Sequence, residues 1–550
     1  MAKAIMVQGT GSHVGKSIIT AGLCRIFKNM GYKVAPFKAQ NMALNSAVAK
    51  EGGEIGRAQA IQAEACGIEP SIHMNPVLLK PNSDMGSQVI IHGKAIGNMK
   101  AREYYAFKNK AWEAVCESYE RLATKYEVIV IEGAGSPAEV NLKENDIVNM
   151  KIAEMAGAKV ILVSDIDRGG VFAALIGTME LLTPSEREMV CGFIINKFRG
   201  DKTLLEPGLD FIEKRTGVPV LGVVPYLRDM GIGEEDSVAL EKSEVRSQKS
   251  EVRSQKSENR VGCARQIEGT VPDLRTECNE VVESGLSPAI KIGVIRLPHI
   301  SNYTDFDPLQ REPDVQLSYI QRPEEIAELD LVIIPGSKNT IDDLLFLRET
   351  GLAEVIKRYC GNGKYVVGIC GGYQILGLKV SDPHGVETDG GSEEGLGLLP
   401  VETIMLKEKV TANVEAFTSH VSHLTSHILN GYEIHMGESM IVGDAKPLFV
   451  IRKRNGDAVE MPDGAITKDG RCWGTYIHGI FDNDGFRRDF LNCIRREKGF
   501  DAVKGVINKD DGFDQLAAVL IENLDVERIL IFTEDWRVRL GSEAGTSQTI

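Results

Sequence analysis

Short apolar runs that end in Gly, Asp or Asn recur along the chain, among them AIMVQG, EVIVIEGAGS, KVILVSDIDRGG and CGFIINKFRGD. Helix-like stretches separate these runs. The alternation is typical of buried parallel strands in βα units. The region before about residue 235 is therefore predicted to fold as one doubly wound α/β domain, with functional loops at the carboxyl ends of its strands.

A second series of apolar runs begins at KIGVIRLPHISN and continues through LDLVIIPGSKNT and KYVVGICGGYQILG. With 550 residues, of which 43% are hydrophobic, the chain is long enough for several cores. The predicted domains are residues 1–235 and residues 289–490, both α/β. Residues 491–550 are predicted to hold amphipathic helices and a disordered tail.

The stretch between the two domains, residues 236–288, contains the heptad SEVRSQK twice, at 243–249 and 250–256. Each copy carries one Val and is otherwise small, polar or charged. Such a composition buries too little apolar surface to order itself. We interpret the stretch as a polar linker or insertion.

Charge and cysteine usage limit the partners and the compartment. The formal net charge of -15 argues against binding to nucleic acid or anionic lipid by bulk electrostatics. The ten cysteines include no CxxC pair, which fits neither a zinc site nor a disulfide framework. The chain also shows no signal peptide and no run of roughly 20 apolar residues. A cytoplasmic protein without nucleic-acid or membrane partners is expected.

The sequence QGTGSHVGKS, residues 8–17, lies between the first apolar run and a predicted helix. Backbone N–H groups of such a loop bind phosphate oxygens at the start of a helix. Lys16 would neutralise phosphate charge, and the Ser17 hydroxyl would hold Mg²⁺. The sequence therefore predicts an ATP site that uses Mg²⁺.

The spacing of this loop is G-x5-G-K-S, because Gly9 lies one residue earlier than in the standard loop and Thr10 occupies the usual glycine position. Gly9, Thr10 and Gly15 are nevertheless predicted to contact the nucleotide together with Lys16 and Ser17. The variant resembles dethiobiotin synthetase and related ATPases.

Later strand ends carry polar residues that would lie near the same nucleotide. Glu132 and Asp165 each occupy a position suited to a Mg²⁺ ligand, although either could instead cap a helix. Asn196 is a candidate for contact with adenine, and Pro225 is a candidate to close over the base.

In the second domain, GICGGYQ places Cys370 between glycines after an apolar strand. Such a sharp turn exposes a nucleophile. His478, in GTYIHGIF, is the candidate base, since it can meet Cys370 in space. Backbone N–H groups at Gly371 and at the turn of Gly336 could stabilise an oxyanion. An inert buried cysteine and a structural histidine are the alternatives.

The motif G-x-C-x-G-x-Q followed much later by histidine resembles the class I, or triad-type, glutamine amidotransferases. Most of that family has Pro and Glu after the histidine, whereas Gly479 and Ile480 follow His478 here. The chain is therefore similar to the branch without that acid, the cobyric and cobyrinic acid synthases. The third member of the site stays unidentified, with Glu433 and His435 as further polar candidates.

Several other stretches resemble the cobyric acid members of that branch, namely KAQNMALNS, RAQAIQAEA, NPVLLKP, DIDRGGVFA and LPHISNYTDFDPL. The resemblance implies transfer of ammonia from glutamine to the b, d, e and g carboxylates of adenosylcobyrinic acid a,c-diamide, at the expense of ATP. The candidates for contact with phosphate or substrate carboxylates, each with a structural role as the alternative, are Lys38, Asn41, Lys80 and Arg168.

Two other functions stay open. One is amidation of two different carboxylates, as in cobyrinic acid a,c-diamide synthase. The other is a non-catalytic ATP-dependent switch of the partitioning-ATPase kind, with a degenerate glutaminase as a sensor. The retained Cys370 and His478 favour an enzyme over a switch, because a sensor would not need the nucleophile.

Overall fold

A computed structural model of the chain describes residues 2–83, 86–227, 290–387, 390–419, 427–503 and 510–532. The predicted linker at 236–288 and the predicted tail after residue 532 lie outside the described residues. None of the described helices combines the length and apolar character that crossing a membrane requires.

The N-terminal half is an α/β domain. Its strands are β1 (Lys3–Gly9), β2 (Val34–Phe37), β3 (Gln40–Met42), β4 (Ser46–Val48), β5 (Glu54–Gly56), β6 (Val77–Ser83), β7 (Gly86–Ile91), β8 (Lys94–Lys100), β9 (Val128–Glu132), β10 (Lys159–Asp165), β11 (Val190–Phe198) and β12 (Val220–Pro225). Its helices are α1 (Lys16–Asn29), α2 (Arg57–Cys66), α3 (Ala101–Lys125), α4 (Met150–Ala156), α5 (Val171–Leu181), α6 (Pro184–Met189) and α7 (Glu206–Thr216).

Six of these strands form one parallel sheet in the order β12-β11-β10-β1-β9-β2, which confirms the doubly wound prediction. Alternate residues of the central strand β1 face opposite cores, because successive side chains of a strand point to opposite sides. Ile5 and Val7 pack on the α1 side, whereas Ala4 and Met6 pack on the other. A second sheet, β3-β6-β7-β8, was not predicted from the sequence.

The C-terminal half contains a second α/β domain. Its strands are β13 (Ile290–Ile295), β14 (Ile300–Ser301), β15 (Val315–Ile320), β16 (Leu331–Ile334), β17 (Gly336–Ser337), β18 (Tyr365–Ile369), β19 (Lys379–Asp382), β20 (Gly391–Glu394), β21 (Val401–Thr418), β22 (Ile428–Ile441), β23 (Phe449–Arg454), β24 (Asp457–Asp463), β25 (Ala465–Ile466) and β26 (Cys472–Thr475). Its helices are α8 (Asp307–Gln310), α9 (Thr340–Glu349), α10 (Leu352–Gly361), α11 (Gly371–Leu376) and α12 (Asp484–Glu497).

The core sheet of this domain has the order β15-β13-β16-β18-β26-β25 and is parallel except at β25. A second sheet, β20-β19-β21-β23-β24 with β22 paired to β21, is mostly antiparallel. Cys370 follows β18 and His478 follows β26. The neighbouring parallel strands therefore bring both residues to the same edge of the core sheet.

Two further helices, α13 (Asp510–Asn523) and α14 (Val526–Phe532), return to the N-terminal half. The α13 residue Leu520 lies against Gly22 of α1, and Asp514 pairs with Arg25 at 2.7 and 2.8 Å. By contrast, α12 belongs to the core of the second domain and crosses the boundary that was predicted at residue 490. The described helices between residues 491 and 532 are thus divided between the two domains.

The segment around β4 docks directly on the second domain. The Ser46 backbone N–H donates to Asn302 Oδ1 at 3.0 Å, and the Tyr303 backbone N–H donates to Asn45 Oδ1 at 3.2 Å. Val48 packs on the side chain of Tyr432. The two halves therefore contact each other through the Asn302 side chain and the Tyr303 backbone N–H of the 302–303 loop.

Candidate active sites

The phosphate loop lies between β1 and α1, as the sequence predicts. Gly15 adopts φ 97°, and a Cβ at this position would lie 2.1 Å from Asn196 Nδ2, so both conformation and space require glycine. The Lys16 amine donates to the carbonyl oxygens of Gly11 at 2.9 Å and Gly135 at 3.2 Å. The loop thus has the strand–loop–helix geometry that binds phosphate.

Glu132, at the end of β9, lies next to this loop. Its carboxylate accepts hydrogen bonds from Ser17 Oγ at 2.8 Å, Lys38 Nζ at 2.8 Å and Gln62 Nε2 at 2.5 Å. Burial alone would raise the pKa of Glu132, but Lys38 and these hydrogen bonds hold it below its ordinary value. An ionised carboxylate beside the Ser17 hydroxyl fits the oxygen ligands that Mg²⁺ prefers.

Groups of three or more potential metal-ligating acids, histidines or cysteines do not occur among the described residues. A Mg²⁺ ion bound mainly by nucleotide phosphates and water needs only one or two protein oxygens. Ser17 and Glu132 therefore suffice as the protein's part of such a site.

Asp165, at the end of β10, has a different partner. Its carboxylate pairs with Lys197 Nζ at 2.8 Å and accepts the Asp167 backbone N–H at 2.8 Å. The side chain of Arg168 is largely exposed, and its Nε lies 3.9 Å from Asp165 Oδ2. These contacts resemble a local cap. Glu132, by contrast, accepts from the Ser17 hydroxyl, and a role of either acid as a Mg²⁺ ligand stays a prediction.

Asn196 contacts the phosphate loop, because its Nδ2 donates to the Val14 carbonyl oxygen at 2.9 Å. Pro225 ends β12 beside β11, where it pairs with Phe198. Thr10 Oγ1 lies 2.8 Å from Ser164 Oγ, which ties the loop to β10. Contact of Asn196 or Pro225 with adenine remains a prediction.

The four candidates for substrate contact have different surroundings. Lys38 pairs with Glu132 at the phosphate loop, and Asn41 donates to Gln59 of α2 at 3.1 Å. Arg168 lies on the loop after β10. Lys80 lies elsewhere, since it lines a cavity together with Cys370 of the second domain.

Cys370 occupies a strained turn between β18 and α11, with φ 52° and ψ -107°. Positive φ is rare in residues with a side chain and often marks functional sites. A Cβ at Gly372 would lie 1.9 Å from the Ile334 carbonyl oxygen, so the turn needs glycine there. The geometry matches a nucleophile elbow.

The proposed oxyanion donors lie beside this turn. Gly336 and Ser337 form β17, and a Cβ at Gly371 would lie 2.8 Å from the Ser337 backbone nitrogen. A Cβ at Gly336 would lie 3.3 Å from the His478 ring. The fold therefore brings Gly336, Gly371, Cys370 and His478 together, while donation to an oxyanion stays a prediction.

His478 is buried, and its Nδ1 lies 2.6 Å from Asp305 Oδ2. The second oxygen of Asp305 accepts the Gly479 backbone N–H at 3.0 Å, and the Tyr432 ring stacks on the imidazole. Burial opposes protonation, but Asp305 and Cys370 outweigh it and raise the pKa of His478 to about 10. The site therefore favours an imidazolium next to Cys370.

Asp305 is the member of the site that sequence reasoning missed. It lies in the short turn Tyr303–Phe306, within the stretch LPHISNYTDFDPL. This stretch contributed to the family resemblance, but its pattern does not distinguish Asp305 from Asp307. The signal that could have found it is the polar stretch that follows the apolar run KIGVIR.

The two other polar candidates have separate roles. Glu433 pairs with Arg454 at 2.6 Å, and Arg454 and His435 hold its pKa low although burial alone would raise it. His435 stacks on Tyr476 and lines the Cys370 cavity. Neither side chain replaces Asp305 as the partner of His478.

A doubly wound phosphate-loop domain joined to a Cys-His-Asp site on a second α/β domain defines a glutamine amidotransferase with its own nucleotide-binding domain. Family models agree. Residues 5–237 match a CobQ/CobB/MinD/ParA nucleotide binding domain, and residues 291–486 match a CobB/CobQ-like glutamine amidotransferase domain.

Curated relatives match almost the whole chain. A cobyric acid synthase of Syntrophobacter fumaroxidans is 51% identical, with 96% of this chain and 98% of the relative covered. Cobyric acid synthases of Moorella thermoacetica and Caldanaerobacter subterraneus are 49% and 47% identical, with 97% and 100% of their own lengths covered. The chain belongs to the cobyric acid synthase family and is a glutamine-dependent amide ligase.

Proposed function

We propose that the chain converts adenosylcobyrinic acid a,c-diamide to adenosylcobyric acid in cobalamin biosynthesis. It would amidate the b, d, e and g carboxylates, with ammonia from glutamine and one ATP for each amide. The observation that supports this most is the Cys370–His478–Asp305 site on the same chain as the phosphate loop, in a protein that matches cobyric acid synthases over nearly their full length.

In the glutaminase half, the Cys370 thiolate attacks the side-chain amide carbon of glutamine. The oxyanion that forms faces the backbone N–H groups near Gly336 and Gly371. His478 transfers its proton to the leaving nitrogen, ammonia departs, and a glutamyl thioester remains. Water then loses a proton to His478, attacks the thioester and releases glutamate and the thiol. Asp305 holds the imidazole in the orientation needed for both transfers.

In the synthetase half, a carboxylate oxygen of the corrinoid attacks the γ-phosphorus of ATP, giving an acyl phosphate and ADP. Lys16 and the loop amides stabilise the phosphate charge, and Ser17 with Glu132 would hold Mg²⁺, which neutralises charge on the transferring group. Ammonia then displaces phosphate from the acyl carbon. Activation is needed because ammonia does not displace oxide from a free carboxylate.

Because ammonia is mostly protonated near neutral pH, we also propose that it passes between the two sites along a sheltered path. Equal activity on glutamine and on external ammonium at physiological pH would contradict this. The docking of β4 on the 302–303 loop supports a path within the joined halves. We further propose a cytoplasmic location.

The deciding experiment follows the mass of adenosylcobyrinic acid a,c-diamide during incubation with ATP, Mg²⁺ and glutamine. Four successive replacements of OH by NH₂ are expected. Absence of any gain, with activity on cobyrinic acid instead, would assign the a,c-diamide reaction. Binding of ATP without amidation of either corrinoid would favour the switch.

A further inference from the structure

Three lysines from both halves of the chain lie in the same cavity as Cys370 and His478. Lys80 comes from β6 of the N-terminal domain, whereas Lys338 follows β17 and Lys409 lies on β21 of the second domain. We call Lys80, Lys338 and Lys409 the lysine cluster. Lys80 is only 3% exposed, although charged side chains are seldom buried without pairing.

The cluster holds more basic groups than acidic partners. Glu54 bonds the amines of both Lys80, at 2.8 Å, and Lys409. Burial alone would raise the pKa of Glu54, but these two lysines hold it well below its ordinary value. Within the described part of the chain, Glu54 is the one carboxylate that forms ion pairs with the cluster.

The remaining partners of the cluster are uncharged. Gln88 Oε1 accepts from Lys338 at 3.3 Å and from Lys409 at 3.2 Å. Lys80 also donates to Ser46 Oγ at 2.9 Å. Three amines thus share one ionised carboxylate, an amide and a hydroxyl, so an anion bound beside them would offset the cost of the buried charge.

A second acid of the cavity compensates this charge only in part. Glu387 accepts the Thr340 backbone N–H at 2.7 Å, and burial raises its pKa to about 7. Its carboxylate makes no ion pair with the lysines among the described residues. Burial and the neighbouring lysines also lower the pKa of Lys409 to about 7, and burial lowers the pKa of Lys338. The amines therefore have too few negative partners, and a bound anion would favour their protonated forms.

We propose that the lysine cluster binds the α-carboxylate of glutamine while Cys370 attacks the side-chain amide. The proposal rests on the glutaminase function above. Three saturated carbons separate the two ends of glutamine, so the carboxylate must be held a short distance from the nucleophile. Lys338 directly follows Ser337, whose backbone nitrogen lies beside Gly371, and thus extends from the oxyanion side of the site.

Because Lys80 belongs to the N-terminal domain, the glutamine pocket is shared between the two domains. The shift in register of β21 between Met405 and Val410 forms the bulge that carries Lys409 toward Glu54 of β5. Glutamine bound there would touch both halves of the chain.

The test compares L-glutamine with 4-aminobutanamide, which is glutamine without its α-carboxylate. Steady-state release of ammonia is measured for wild type, Lys80→Met, Lys80→Arg and the control Lys94→Met. Lys94 lies on β8 of the same small sheet but is exposed. Ammonium-dependent amidation of the corrinoid is measured in parallel to verify that each variant is folded.

We expect Lys80→Met to raise KM for glutamine about ten- to a hundredfold, the usual effect of losing a charged hydrogen bond, with kcat changed much less. Lys80→Arg should recover part of the loss, and Lys94→Met should match wild type. For 4-aminobutanamide, kcat/KM should be the same in wild type and Lys80→Met.

An equal loss for both substrates would overturn the proposal and assign Lys80 to the structure of the pocket or to the passage of ammonia. An unchanged KM for glutamine would overturn it as well. If Lys80→Met does not fold, Lys409→Met is subjected to the same comparison. Failure of the glutaminase function itself would appear separately, as absence of glutamine turnover by wild type.

Discussion

The Asp305 carboxylate and the His478 imidazole form a 2.6 Å hydrogen bond in the interior of the second domain. It joins residues that are 173 positions apart. Here the acid comes from a loop between the first two strands of the core sheet, rather than from a position just after the histidine. Asp305 thus orients the histidine, as the acid of a triad does, but it lies on a different loop of the fold.

Asp305→Asn is predicted to lower kcat/KM for glutamine by about a hundredfold or more, because the imidazolium loses the charge that stabilises it. Asp305 is one of the groups that raise the pKa of His478 to about 10. Its neutral replacement should lower that pKa. The alkaline limb of the glutaminase pH profile, where the proton for the leaving ammonia is lost, should therefore move to lower pH.

Asp307→Asn is the matched control for this prediction. Asp307 lies two residues further on, and burial raises its pKa to about 7, so it is already partly neutral. Its replacement should leave the pH profile of glutamine turnover close to that of wild type. Identical profiles for Asp305→Asn and wild type would remove Asp305 from the site.

Cys370→Ser is predicted to abolish glutamine-dependent amidation and to retain amidation with a high concentration of ammonium. The reason is that the hydroxyl is a far weaker nucleophile than the thiolate, whereas the phosphate loop is untouched. Both nitrogen sources are compared by the mass gain of the corrinoid. Undiminished glutamine turnover by the variant would exclude Cys370 as the nucleophile.

Glu132→Gln is predicted to raise the Mg²⁺ concentration needed for half-maximal ATP-dependent amidation, since the carboxylate beside Ser17 is lost. Asp165→Asn should change it less, because Asp165 accepts from Lys197 and the Asp167 backbone N–H, whereas Glu132 accepts from Ser17. The same Glu132 substitution removes the negative charge that pairs with buried Lys38, and loss of this ion pair should lower the free energy of unfolding by about 3–5 kcal/mol. A larger Mg²⁺ effect at Asp165 would reverse the assignment.

Leu520→Ala is predicted to lower the free energy of unfolding by about 2–4 kcal/mol, because Leu520 of α13 is fully buried against α1. Ile521→Ala, at a neighbouring position that is 52% exposed, should change it by no more than about 0.5 kcal/mol. Denaturant unfolding followed by circular dichroism measures both. Equal values would contradict the packing of α13 on the N-terminal domain.

Local patterns predicted the two α/β domains, the phosphate loop and the Cys370 turn, since strand ends and glycine turns are encoded within about ten neighbouring residues. Asp305 was beyond reach, because its role depends on a contact with a residue far away in the sequence. The position of Lys80 in the Cys370 cavity was missed for the same reason. The sequence around Lys80 does not indicate that its side chain lies against the second domain. The helix α13 was found, but its partner α1 was not.

Two hydrogen bonds from the other half of the chain hold the loop that precedes Asp305. The Asn45 side chain accepts the Tyr303 backbone N–H, and the Ser46 backbone N–H donates to the Asn302 side chain. The second domain alone therefore does not hold the loop that carries Asp305. Residues of the N-terminal half contribute to its position. A chimera that exchanges the second domain between two related enzymes would need matching residues at both sides of this contact. We therefore expect recombination within the family to be constrained at this contact.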